Sequence, residues 1–411
     1  MSDPAAANFQ KSELASTGRG LSGVRLWGPI LAIVLVGVAA HATSSLKPLI
    51  IQAFIHSAGF DKATSGYLLT SEMIATSVGS IVATAFPFAL RKREYLFGAL
   101  ALMMLANLAS IVFRTDTGLA LYSLRCLSGI GAGFGLGRLG ILIALSGRPG
   151  RTAGLYSVST QLYGAVAAFA TPLINRFCGA NSIFVILAGT VPLALILIGW
   201  VPESNEKSVK TKTAAGEASQ TLSLPGKFLL AASFGIFFFG IGTFWPFISV
   251  LSETANVDHT QMSSILGWSA LVSALGAGTA VFTGDRKASA SILTLFFVLL
   301  CLAIALQIAF PRSVLAFVFS AMLFSYTYFV INPMVLGVMS KLDTTGQMNG
   351  VYYVVAVGGI ALGPAAAGWI LAHESDRFAS AMYLRTISVA LIAVSSAVQA
   401  LYAYRATRTA R

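Results

Sequence analysis

Six ionisable side chains fall inside long apolar runs: His41, Lys47, Glu72, Arg125, Arg138 and, near one end of its run, Arg385. Charge in hydrocarbon is costly and marks solute pathways, proton relays or tight pairs. Glu72 is the one carboxylate well inside such a run, so a proton coupled through a carboxylate would use it; the alternative is a structural partner for a nearby cation. Arg125 offers a planar, permanently charged fork that can bind an anion, hold Glu72, or bond backbone carbonyls between packed helices. Arg138 stands nearer the end of the same run and can snorkel. Pro48 lacks an amide hydrogen and predicts a kink beside Lys47, which either joins Glu72 or snorkels outward. Counted inward from Ile55 and Ser65 at the helical rise, Lys47 and Glu72 both lie about 10–12 Å deep, so they can meet. The expectation is a cluster of Glu72, Lys47 and Arg125 between the first, second and fourth helices, facing a cavity. His41 is either a second proton-coupling group or a hydrogen-bonded core residue.

Arg125 must be positioned by the run Leu119–Ser146, which is dense with glycine. Glycine costs a helix about 1 kcal/mol relative to alanine. Gly129, Gly133 and Gly137 recur a turn apart on one face, which predicts close helix–helix approach. Further substrate-binding candidates are Gln52, Gln161 and Tyr163 in the first half of the chain and Trp245, Tyr326, Tyr328, Asn332 and Tyr353 in the second. Pro246, in the run Gly242–Pro246, predicts a break that exposes Trp245 to a cavity.

These residues belong to an all-α polytopic membrane protein. Of 411 residues, 56% are hydrophobic and 10% charged, and the mean hydropathy is +0.79. A span needs about 20 apolar residues, and the sequence holds about twelve such runs. They read as Leu26–Ile55, Ser65–Leu90, Tyr95–Phe113, Gly118–Ser146, Thr152–Asn175 and Ser182–Val201, then Lys227–Leu251, Gln261–Phe282, Ala288–Phe310, Ser313–Met339, Gly346–Leu371 and Ser380–Tyr404. The organisation is a tail at 1–25, a six-helix bundle at 26–201, a linker at 202–226, a second bundle at 227–404 and a tail at 405–411. Lysine and arginine concentrate in the loops on the side of both chain ends and the linker, which predicts those parts to be cytoplasmic and the protein to be multi-pass in a cell membrane. Only Lys62, Arg114, Arg176, Arg312 and Arg377 fall on the other side. The net charge of +12 is thus a topology signal rather than a nucleic-acid surface. The first residues lack the pattern of a cleaved signal peptide. The three cysteines predict neither disulfide nor metal site, and no cofactor is expected.

Arg125 followed by Gly129, Ile130, Gly131 and Gly133 resembles the fourth-helix motif of the major facilitator superfamily, a likeness that covers essentially the whole chain. Gly350, Gly359, Gly363, Pro364 and Gly368 resemble that family's glycine–proline motif, which is diagnostic in the fifth helix; here the fifth helix has only Thr171–Pro172. Of the usual motif between helices 2 and 3, Arg91–Lys92–Arg93 remains, with Pro87–Phe88 at the Asp-Arg place, while Asp285–Arg286–Lys287 keeps part of it in the second half. The resemblance implies two pseudo-symmetric six-helix bundles rocking about a central cavity, with Gly359, Gly363 and Pro364 packing helices. It makes the chain a monomeric secondary transporter by alternating access, with small-molecule solute, protons and lipid as partners. Intramembrane cations outnumber carboxylates, which favours a small organic anion, aromatic or short-chain, moved by proton symport. Alternatives are efflux of hydrophobic compounds by proton antiport and a non-transporting receptor; no nucleophile–base constellation points to an enzyme.

Overall fold

The computed structural model describes residues 23–85, 92–115, 118–145, 149–201, 223–283, 290–342, 347–374 and 376–409. Twelve passes account for them: α1 (Gly23–Ser45, resumed at Lys47–Gln52), α2 (Lys62–Ala85), α3 (Arg93–Val112), α4 (Leu119–Leu145), α5 (Pro149–Cys178), α6 (Ser182–Gly189, resumed at Val191–Ile196), α7 (Leu224–Phe244, resumed at Ile248–Leu251), α8 (His259–Thr283), α9 (Ala290–Ala309), α10 (Val314–Leu342), α11 (Gln347–His373) and α12 (Arg377–Thr409). Twelve crossings place 23 and 409 on one face; the connections at 57–61, 252–258 and 310–313, with Glu374 and Asp376, lie on the opposite, far face. Nine stretches among the described residues are long and apolar enough to span a bilayer, one of them covering α5 and α6 together. The two passes outside those stretches, α2 and α8, are the Ser/Thr-bearing helices that pack across the two bundles, α2 on α11 and α8 on α5. The face each turns to the other bundle is covered by protein, which lessens the demand for a wholly apolar surface.

Several boundaries differ from the sequence reading. The first helix starts at Gly23, inside the expected tail, and α12 runs to Thr409, past the expected end at Tyr404. Residues 202–222 of the expected linker lie outside the described residues, and its last part is already helix: Ser223 stands at the N-cap position and Pro225 in the first turn of α7, where its missing amide hydrogen costs nothing. The basic motif at 91 and the Asp285–Lys287 motif also lie outside the described residues, except for Lys92 and Arg93.

The passes are interrupted where proline or local strain dictates. In α1 the helix breaks at Leu46 (φ −107°, ψ 14°), and Pro48 falls in the first turn of the resumed helix. In α7 the α-helix stops at Phe244, Trp245–Phe247 form a 3-10 turn around Pro246, and Ile248–Leu251 resume. These two breaks occupy the first pass of each half and pack against each other.

The bundles meet through the far halves of their helices. A Cβ on Gly66 of α2 would overlap the Pro364 carbonyl oxygen of α11, and one on Gly368 would overlap the Lys62 carbonyl oxygen. The Ala365 amide donates to Thr70 Oγ1 at 2.9 Å, and Ser249 Oγ donates to the Pro48 carbonyl at 3.3 Å. A helical face repeats at seven or eight residues. Continued toward the near side, the contact face of α2 runs through Ile74, Val78 and Ile81, and that of α11 through Val357 and Val354; all five are exposed. The bundles are therefore closed at the far face and splay toward the near one.

Candidate functional site

The charge pair sits deep in the first bundle. Arg125 Nη1 lies 3.3 Å from Glu72 Oε2, and both side chains are 0% exposed. Thr43 of α1 and Ser128 of α4 each donate a hydroxyl to Glu72 Oε1 at 2.9 Å. The guanidinium also donates to Asn107 Oδ1 through both Nη atoms, at 3.1 Å each, and to Ser110 Oγ at 2.6 Å, while Asn107 Nδ2 donates to Ser128 Oγ at 3.2 Å. Phe184 of α6 lies under the guanidinium, 5.1 Å from ring centroid to Cζ. One carboxylate thereby joins α1, α2 and α4, and through Asn107 and Ser110 also α3. The carboxylate and both Nη atoms of the guanidinium are thus engaged, as a buried ion pair in low dielectric requires, while Arg125 Nε is left without a partner among the described residues.

The glycine face of α4 makes this depth possible. A Cβ at Gly129 would overlap the Glu72 carbonyl oxygen, one at Gly133 would overlap that of Thr76, and one at Gly137 would come to 2.9 Å from Ala83 Cβ. The face that draws α2 onto α4 is also what carries Glu72 into the bundle interior. This corrects the expectation that Glu72 and Arg125 face the cavity: close packing leaves both fully enclosed. Arg138 is also corrected, because it is 1% exposed and does not snorkel.

Lys47 is not part of the Glu72 cluster, a second correction. The break at Leu46 begins a new helix at Lys47, and Glu72 takes its α1 contact from Thr43, one turn earlier. Lys47 is 7% exposed and makes no ion pair or hydrogen bond among the described residues. It lies where the two broken helices, α1 and α7, pack together. Other buried polar atoms without a hydrogen-bond partner among the described residues are His41 Nδ1, Ser45 Oγ and Gln52 Oε1 on α1 and Ser269 Oγ on α8, whereas Tyr163 of α5 turns its hydroxyl toward Thr190, between the two parts of α6. The His41 ring meets Tyr156 edge-on, with centroids 6.1 Å apart. Gln161 is buried, its amide donating weakly to Thr160 Oγ1 at 3.4 Å.

In the second bundle Trp245 stacks on Phe324 at 5.3 Å, and Phe324 stacks on Tyr328 at 6.4 Å, both pairs within 7° of parallel. Asn332 accepts a hydrogen bond from Tyr352 at 2.7 Å. Tyr326 points elsewhere, to Thr279 of α8 (3.2 Å) and Phe296 of α9. The side chain of Tyr353 lies outside the described residues, and Tyr352, its neighbour, is the tyrosine that meets Asn332. Gly359 and Gly363 of α11 pack on Gly235 and Gly242 of α7, so the glycine–proline stretch serves one face within the bundle and, through Pro364, another across bundles.

Sequence reasoning missed Asn107, Ser110, Ser128 and Thr43, although Asn107 and Ser110 stand three apart in an otherwise apolar run and share a face. It also left Arg385 without a role. Arg385 is fully buried and donates to Gln307 Oε1 (3.1 Å), the Leu251 carbonyl (2.9 Å) and Thr254 Oγ1 (2.8 Å), fastening the end of α7 to α9 and α12.

At the far face, His56 after α1 lies 3.6 Å from Glu253 after α7, with its ring 4.0 Å from that of His259. Burial, then His259, holds the His56 imidazolium below the ordinary histidine range; Lys62 adds to this and Glu253 opposes it. The closed form thus binds protons less readily than a freed histidine. Closure is favoured in full above the ordinary histidine pKa, about 6.5, and that advantage is lost as pH falls from there through the lowered value His56 holds in the closed form. Spin labels at Ser57 and Glu374 are expected to move apart on acidification from pH 8 to 5, and His56→Gln is expected to remove most of that change.

Two six-helix bundles closed on one side, with broken helices where they meet, make an arrangement that also occurs in solved transporter structures. The structure is similar to that of the human organic anion transporter MFSD10 (TETRAN), at 14% identity over 91% of this chain and 99% of that one, with a TM-score of 0.62. It is similar to the xylose transporter XylE from E. coli in a partially occluded inward-open conformation, at 13% identity over 91% and 97% of the two chains, with a TM-score of 0.68. It is also similar to an inward-facing, unoccupied bacterial homologue of the human lysosomal transporter Spinster, at 14% identity over 95% and 98%, with a TM-score of 0.62. The chain therefore has the polytopic fold of these transporters, the one that its resemblance to the major facilitator superfamily implies. No protein-family model matches the sequence, and no curated protein matches it.

Proposed function

We propose that the chain is a secondary transporter of a small organic anion, an aromatic or short-chain carboxylate, coupled to protons through Glu72 and lodged in a cell membrane with both ends and the linker cytoplasmic. The observation that carries the anion reading is Lys47, a buried cation with no acid beside it at the meeting of two broken helices. A buried ammonium without a counter-charge is costly, and a carboxylate solute supplies that charge. On the helix that carries Lys47, the unpartnered Ser45 hydroxyl, Gln52 amide oxygen and His41 imidazole supply polar contacts, and the Trp245–Phe324–Tyr328 stack offers a flat apolar wall. That one neighbour is an organic anion transporter agrees with this choice.

Glu72 gives a coupling path. Protonation removes its charge and weakens its hold on Thr43, while Arg125 keeps Asn107 and Ser110. It therefore loosens α1 one turn from Lys47 and raises the positive charge of the first bundle by one. Both effects favour entry of an anion on the same face as the proton, which is symport. With the far face outward, the structure is the inward-facing state.

A thermal-shift series on purified protein tests the solute class. Benzoate, phthalate and succinate are expected to raise Tm, and xylose, alanine and tetraphenylphosphonium are not, because specific binding stabilises the folded state. Stabilisation by the lipophilic cation alone would replace this reading with efflux of hydrophobic compounds. Lys47→Met should sharply reduce the carboxylate shift.

A further inference from the structure

Loop charge keeps basic residues off the far side, yet three of the five that remain there converge. Lys62 at the start of α2, Arg312 between α9 and α10, and Arg377 at the start of α12 line one cavity of about 510 Å³, together with Glu253, Thr254 and Asn256 at the end of α7. None of the three cations forms a salt bridge among the described residues. Arg312 rests on the Phe378 ring, at 5.7 Å. The acids next to them in sequence serve as helix caps: Asp61 accepts from the Thr64 amide (2.8 Å) and hydroxyl (2.7 Å), and Asp376 accepts from the Phe378 amide (2.8 Å). The single carboxylate of the lining, Glu253, is drawn toward His56. Beneath the floor, Arg385 donates to Thr254 and adds a fourth positive charge.

We propose that this cavity is a far-side binding site for a small carboxylate, which bridges Lys62 of the first bundle to Arg312 and Arg377 of the second. Three cations held around a partly enclosed space concentrate an oxyanion there, and arginine forks suit a carboxylate. Because the ring spans both bundles, an occupant binds the closed form better than the open one and favours closure on this side. The assignment rests on the anion reading for its role in transport, as the station that a solute meets before or after the central seam. Its test does not depend on transport.

The test uses full-length protein with Cys126, Cys178 and Cys301 replaced by alanine and a single reporter, Phe378→Cys, at a position 37% exposed. In nanodiscs of phosphatidylcholine, an anionic methanethiosulfonate is expected to react with the reporter at least about tenfold faster, relative to its rate with free thiol, than a cationic one. Phthalate should slow that reaction saturably and benzamide should not. Arg312→Gln with Arg377→Gln should abolish both the charge preference and the protection, even if Lys47→Met has already removed central binding. Absence of saturable protection, or protection that survives the double replacement, would overturn the proposal. So would protection seen only when phosphatidylglycerol is present, which would assign the cavity to a lipid headgroup.

Discussion

Glu72→Gln and Arg125→Met, made singly, are each expected to cost on the order of 3–5 kcal/mol, the penalty for leaving one charge of a buried pair uncompensated. The two should differ in rank. The amide oxygen introduced by Glu72→Gln would still accept from Thr43 and Ser128, whereas methionine at position 125 strips partners from Glu72, Asn107 and Ser110 together. Arg125→Met should therefore be the worse of the two, and the double replacement should be more stable than Arg125→Met alone. Thermal unfolding of the four proteins in detergent, read with size-exclusion profiles, measures this. Strictly additive losses would mean that the two groups do not act as a pair. The double variant is expected to fold and to lose proton-driven accumulation.

Gly129→Leu and Gly133→Leu should prevent assembly of the first bundle. At both positions a side chain would meet backbone of α2, the carbonyl oxygens of Glu72 and Thr76, and a backbone on a packed helix cannot yield as a flexible side chain can. The cost should lie at or above the upper end of the roughly 1–3 kcal/mol usual for overpacking. Gly137→Ala should be milder, since its first contact is the Ala83 methyl. Gly140 is the internal control: nothing lies within 4 Å of a Cβ placed there, and Gly140→Ala should stabilise by up to about 1 kcal/mol through helix propensity. Yield and Tm of the four variants measure the gradient. Normal folding of both leucine variants would show that α4 does not need contact with α2.

The pass count, the break at Pro246 and the glycine face of α4 were legible because each rests on local chemistry: apolar length, a missing amide hydrogen, an absent Cβ. The pairing of Glu72 with Arg125 was legible as a demand for compensation, and Lys47 was assigned to it by depth alone. Depth fixes height in the membrane but not azimuth, and around the helix break at Leu46 it is Thr43, not Lys47, that reaches Glu72. Azimuth likewise separated Tyr328, in the aromatic stack, from Tyr326, two residues away and facing α8. Arg385 and the ring of Lys62, Arg312 and Arg377 come from segments far apart in sequence, and nothing in any one of them signals the others. The glycine–proline stretch of α11 was visible as a packing device, but not that it serves α7 on one face and α2 on the other.

The central claim is that Glu72 couples the proton to the solute. The direct measurement is uptake of radiolabelled solute, the carboxylate that most raises Tm, into proteoliposomes under an imposed pH gradient, acid on the side from which uptake is measured. Wild-type protein should accumulate the carboxylate above its outside concentration and lose the accumulation when the gradient is collapsed. Glu72→Gln should still exchange labelled for unlabelled solute yet not accumulate it. Gradient-driven accumulation by Glu72→Gln at the wild-type level would contradict the account and leave Glu72 as a structural partner of Arg125.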